Sequence, residues 1–188
     1  MSLRFPPLRN LKIPVLQALS LKYSPEVAPW TTDVPILKST LNPKHDLVRD
    51  RYIHRSKDAL HWAVIANVSV KAVPKAVLRV RLRRRWTSAF TEALKLEGYR
   101  TNGKRLRDAA DGEHRPDLVG TLEIYVYGPQ GLHKPFKDLI RTSGTIVRAL
   151  KAQQNRPRHH HQPHASPHAP APWQAKVPTK SKGWAETA

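Results

Sequence analysis

Cysteine is absent from the 188 residues. That excludes a disulfide framework and every thiolate metal site, and it fits a reducing compartment. Long apolar runs are missing too: none approaches the roughly 18 to 20 residues a membrane-spanning helix needs. Acid is scarce, with 14 Asp and Glu against 33 Lys and Arg and a formal charge of +19. No acid precedes Glu26, and none lies between Asp58 and Glu92. Such an excess says little about fold, but it concentrates polyanions at the surface. Nucleic acid and a bilayer surface are the two obvious polyanions. Nucleic acid is the more common, and there each neutralised phosphate releases counterions.

The 17 prolines are unevenly spread and mark three zones. From 1 to 44 they recur at 6, 7, 14, 25, 29, 35 and 43, which predicts a basic, irregular N-terminal extension. Its first residues are basic and acid-poor, the composition of a mitochondrial transit segment. Periodic apolar patterning occupies 45 to 151, the expected folded domain. From 152 to 188 a His- and Pro-rich tail has too little apolar content to offset the entropy of ordering it, so disorder is expected.

Within the middle zone, Leu60, Trp62, Val64, Ala66, Val68 and Val70 alternate with His61, Ala63, Ile65, Asn67 and Ser69. Period two predicts a strand with one buried face. From about Pro74 to Leu96, the residues Leu78, Leu82, Trp86, Phe90 and Leu94 recur every four positions, with Ala89 and Ala93 on the same side. That stripe predicts a helix facing a core, with Gly98 as its terminator. A long basic loop is expected from Tyr99 to Gly120. A second strand follows on Leu122, Ile124 and Val126, closed by Gly128-Pro129. A second helix opens at Pro135 and presents Phe136, Leu139, Ile140, Val147 and Leu150 on one face; Gly144 weakens it. The expected class is α+β: a strand–helix–loop–strand–helix order, with a further strand before residue 60.

The first of these helices carries Arg79, Arg81, Arg83, Arg84 and Arg85. On a helical wheel Arg84 points away from the leucine stripe, Arg81 and Arg83 lie to either side, and Arg79 and Arg85 flank the stripe. With no acid nearby the cations cannot pair internally and repel one another. Guanidinium forks suit phosphate because they donate two parallel hydrogen bonds and are weakly hydrated.

This stretch resembles the protein subunit of bacterial-type ribonuclease P, over about residues 60–151. Val68-Ser69-Val70-Lys71 corresponds to the end of that family's strand. Lys75-Ala76-Val77-Leu78-Arg79-Val80-Arg81 corresponds to the helix that follows, and Arg83-Arg84-Arg85-Trp86 through Ala89-Phe90 continues it. The family's arginine–asparagine–arginine core falls on Arg79, Val80 and Arg81. Val80 replaces the asparagine, Pro74 stands at the glycine of the turn, and the loop after the helix is longer. The resemblance implies a small two-layer α/β sandwich, the ribosomal protein S5 domain 2-like fold, with irregular extensions at both ends. It implies that an RNA subunit carries the chemistry, with Mg²⁺ held through that RNA and no cofactor bound by the protein. It also implies 5′ maturation of precursor tRNA. RNA contacts are then expected from Lys71, Lys75, Arg79, Arg81, Arg83, Arg84 and Arg85. Tyr125 and Tyr127 become stacking platforms. Trp62 could stack as well, although it shares the apolar face of its strand. The partners expected are RNA and no membrane, with a monomer inside a mitochondrial (matrix) ribonucleoprotein.

Two other readings compete. A basic chain with irregular extensions also fits a mitochondrial ribosomal protein that binds rRNA structurally. A self-contained nuclease would need clustered acids or histidines. Asp108, Asp111, Glu113 and Asp117 match no recognised metal-loop spacing, and they read as solvated loop acids. His159, His160, His161, His164 and His168 read as a low-complexity tract. No catalytic residue and no metal ligand is expected.

Overall fold

The alternating apolar residues around Leu122 form the strand on which the sheet is built. In the computed structural model, which describes residues 5–13, 18–106 and 116–155, β4 (Gly120–Val126) is buried along its whole length. It pairs antiparallel with β2 (Leu19–Ser24), with Leu21 opposite Ile124. On its other side it pairs parallel with β3 (Leu60–Ala66), with Val64 opposite Ile124. A short β1 (Arg9–Leu11) joins β2 antiparallel, so the order is β1-β2-β4-β3. Parallel neighbours require a crossover, and α3 (Ala76–Leu96) supplies it between β3 and β4. With α1 (Val34–Lys38), α2 (His45–Ile53) and α4 (Phe136–Gln154), the described residues form a small mixed α/β fold of four strands and four helices.

Register assigns the two faces. Leu21, Tyr23, Leu60, Val64, Leu122, Ile124 and Val126 share the face covered by α3 and α4 and build the core. From α3 it receives Leu82, Trp86, Ala89, Phe90, Ala93 and Leu94, so the leucine stripe is buried as expected, with Leu78 partly so. The helix ends as the sequence predicts. Gly98 adopts φ +82, its N–H reaches the Lys95 carbonyl at 2.9 Å, and the Tyr99 N–H reaches that of Leu94 at 2.8 Å. This is the double bond pattern of a Schellman motif.

Thr121, Glu123 and Tyr125 point to the opposite face, where the segment between β2 and α1 crosses as a strap. The Ala28 N–H donates to Thr121 Oγ1 at 3.0 Å, and the Thr31 N–H to Glu123 Oε1 at 2.7 Å. Thr31 Oγ1 adds a 2.6 Å bond to Glu123 Oε2. Glu123 is thereby fully buried with its oxygens satisfied, the condition under which a buried acid is tolerable. Helix α2 pins the strap from outside: Tyr52 Oη accepts from the Trp30 N–H at 2.9 Å and donates to Asp33 at 2.6 Å. Arg55, just beyond α2, lies over both the Trp30 and Tyr52 rings. Burial, foremost, lowers the Arg55 pKa; burial followed by the Asp33 hydrogen bond raises that of Tyr52.

Several expectations need correction. The described residues up to 44 are not an extension outside the domain, because β1 and β2 lie among them and complete the sheet. The first strand stops at Ala66 rather than Val70. After the Asn67 N–H bonds to the Val126 carbonyl at 2.9 Å the chain turns off the sheet edge, which leaves Val70 exposed although Val68 stays buried. Pro74 precedes the helix instead of opening it, because Lys75 still has extended backbone. Phe136 is not on the buried face of α4, where Leu139, Ser143, Ile146, Val147 and Leu150 are enclosed. Most of the His-rich tail, with all five of its singled-out histidines, lies outside the described residues.

Candidate nucleic-acid interface

Burying the leucine stripe of α3 turns its arginines outward, and their hydrogen bonds divide them into two groups. Arg79 Nη1 donates to the Val73 carbonyl at 2.7 Å and to that of Pro74 at 2.9 Å. It fastens the turn that leads into its own helix. Arg85 Nη1 donates to the Leu132 carbonyl, and its Nη2 to that of Lys134 at 2.6 Å. This second clamp holds the 3-10 turn Pro129–Leu132 and the start of α4 against α3. Both arginines flank the buried stripe, and both are half-buried.

Arg81, Arg83 and Arg84 behave differently. All three are exposed, and among the described residues no hydrogen bond or ion pair engages their guanidinium groups. The nearest acid along the helix, Glu92, is already paired with Lys95 at 2.9 Å. Lys71 and Lys75 are exposed in the turn before the helix and extend the basic surface past its N-terminal end. Three like charges held on a rigid helix face repel one another in the free protein, and an anion relieves that repulsion.

Apolar groups interrupt the charge. Val77 is 76% exposed, Val80 37% and Phe136 40%. Together with Arg81, Arg84 and Ser88 they line a groove of about 770 Å³ between α3 and the beginning of α4. A smaller groove of about 370 Å³ runs along the other flank of the helix, between Arg79, Val80 and Arg83 and the Val64–Ala66 end of β3. Val80, where the resembling family keeps asparagine, borders both.

The tyrosine platforms lie elsewhere. Tyr125 is 9% exposed, on the sheet face turned away from α3, and its hydroxyl donates to Glu123 Oε2 at 2.8 Å. Burial, foremost, pushes this phenol up to about 12; a hydrogen bond with Thr31 lowers it and the one with Glu123 raises it. Tyr127 is 49% exposed and stacks on Tyr125 with ring centres 6.3 Å apart, while Lys22 Nζ sits 4.9 Å from the Tyr125 ring centre. Of the pair, Tyr127 alone offers an open ring face of any size. The arginines and tyrosines expected to act together therefore occupy opposite layers. Trp62 packs at 4.8 Å against Phe90 and donates its indole N–H to the Thr101 carbonyl at 2.7 Å, so it is partly buried against the core.

Asp108, Asp111 and Glu113 lie outside the described residues. Asp117 accepts the Arg105 backbone N–H at 2.9 Å. Among the described residues no cluster of three His, Cys, Asp or Glu side chains could hold a metal ion, and no helix is long and apolar enough to cross a membrane. Sequence reasoning did not anticipate the Arg79 and Arg85 clamps or the exposed Phe136. Comparison of the chain with protein-family models, with curated proteins and with solved structures returns no match.

Proposed function

We propose that this chain is an RNA-binding protein that uses the outer face of α3, and that its RNA is that of a ribonuclease P-like ribonucleoprotein maturing the 5′ end of precursor tRNA in the mitochondrial matrix. The observation that carries the reading is the set of three unpaired guanidinium groups on Arg81, Arg83 and Arg84, held rigid by the packed stripe behind them. Lys71 and Lys75 supply further phosphate contacts beyond the helix end. Arg79 and Arg85 set the geometry rather than the affinity, because their donors are committed to backbone carbonyls.

The run β3–α3–β4–α4 supports the ribonuclease P resemblance, since that family presents its arginine motif on the helix after a strand and follows it with a strand, a turn and a Phe-led helix. We extend the proposal to the S5 domain 2-like sandwich that this family shares. In such a particle the RNA subunit and its Mg²⁺ ions perform hydrolysis. The protein's side chains reduce repulsion between two polyanions and fix their relative placement.

Addition of the purified chain to a bacterial-type ribonuclease P RNA tests the reading. Stimulated 5′ cleavage of precursor tRNA at low Mg²⁺ is the expected result. Absence of stimulation, together with co-sedimentation with a ribosomal subunit in high salt, assigns the same basic face to rRNA instead.

A further inference from the structure

The groove beside the free arginines has a composition that phosphate binding does not need. Val77, Val80 and Phe136 line it, and Phe136 is 40% exposed at the first position of α4. Arg81 and Arg84 rim it, and Ser88 provides a hydroxyl. A duplex backbone uses the cations alone and leaves the aromatic face and the valines in water. A polyanion that also presents a flat apolar surface uses both, and an unpaired nucleotide has that chemistry. Bases stack on aromatic rings whatever their sequence, while flanking phosphates meet guanidinium forks.

We infer that this groove holds an unpaired base of the bound RNA, stacked on Phe136 over Val77 and Val80, with Arg81 and Arg84 on the phosphates to either side. The inference rests on the RNA-binding reading above and narrows it to single-stranded or bulged RNA. A volume of about 770 Å³ is ample for a nucleotide and falls within the range of ordinary ligand sites. The site is preformed. Arg85 fixes the approach to α4 through the Leu132 and Lys134 carbonyls, so Phe136 stands at a set distance from α3 without RNA present.

The test uses the full chain and two RNAs of equal length and charge, one a perfect hairpin and the other carrying a single bulged 2-aminopurine. Anisotropy reports affinity, and 2-aminopurine emission reports stacking. The bulged RNA should bind about tenfold more tightly, with quenched emission. Phe136→Ala should abolish both the preference and the quenching. Phe136→Leu, which keeps apolar volume at the helix start but lacks a π face, should behave like alanine, and Phe136→Tyr like the native chain. If Phe136→Ala and Phe136→Leu keep the preference and the quenching, the stacking site is refuted. When, in that case, Arg84→Ala still weakens both RNAs, the broader RNA-binding reading survives. A native chain that binds neither RNA overturns both.

Discussion

The Arg79 guanidinium closes on the carbonyl of Val73 at 2.7 Å, tying the helix back onto the turn that precedes it. A residue expected from the sequence to be a leading phosphate ligand is thus occupied by the protein itself. Arg79→Ala should cost about 1 kcal/mol of stability, a charged hydrogen bond discounted for partial exposure. It should lower RNA affinity less than substitution of Arg81 or Arg84. Urea denaturation and filter binding on the same preparations check both.

Simultaneous Arg81→Ala, Arg83→Ala and Arg84→Ala should leave stability within about 0.5 kcal/mol of native, because the side chains are exposed and make no internal bond. RNA affinity should fall, and the slope of log affinity against log salt should flatten by about one for each phosphate that the variant no longer neutralises. An unchanged slope removes α3 from the interface.

The elements that were legible in the sequence were those with an uninterrupted period. Leu82, Trp86, Phe90 and Leu94 announce α3, and Leu122, Ile124 and Val126 announce β4. β2 carried the same signal, since Leu19, Leu21 and Tyr23 alternate with Ser20, Lys22 and Ser24. The surrounding prolines masked it, although none falls inside the strand. Helix α2 was hidden for a different reason: it buries only Val48 and Tyr52, too few to form a stripe. The candidate site was half legible. The wheel placed Arg84 outward and Arg79 and Arg85 beside the core, but carbonyl partners such as Leu132 and Lys134 come from a distant part of the chain. No periodicity encodes such a pairing.

Gly120 and Gly144 should respond in opposite directions to alanine. Gly120 adopts φ +104, and a Cβ there would lie 2.2 Å from the Ser24 carbonyl oxygen, at the end of β2. Gly120→Ala should cost about 3 kcal/mol or prevent folding. Gly144 lies inside α4 with nothing within 4 Å of an added Cβ, so Gly144→Ala should stabilise by roughly 0.5–1 kcal/mol. Thermal melts of the two variants suffice.

Alkaline pH should unfold the protein through its buried phenols. The Tyr125 pKa rises from the usual 10 to about 12, chiefly through burial, so the folded state holds this proton more tightly than the unfolded chain. Its contribution is complete below pH 10 and is lost as pH climbs to about 12, when a phenolate forms beside the buried Glu123 carboxylate. Tyr52 is shifted in the same direction and adds to the loss. Tyr125→Phe should make stability fall less steeply between pH 10 and 12, as followed by denaturant midpoints across that range. An identical slope in the variant assigns the alkaline transition to Tyr52 or another group.

Because β4 stands between β2 and β3, the order in which the chain is synthesised matters. β2 and β3 are not neighbours, and the bond from Tyr23 Oη to the Val119 carbonyl spans 96 positions. A ribosome that has produced everything before residue 120 has made the β1–β2 pair and β3, which share no partner until β4 arrives between them. Its nascent product can wind α3, but the sheet that α3 covers closes only when β4 joins its two halves, a late event of high contact order. Throughout that interval the arginines of α3 are already available to any RNA near the exit tunnel, before the surface that gives them direction exists.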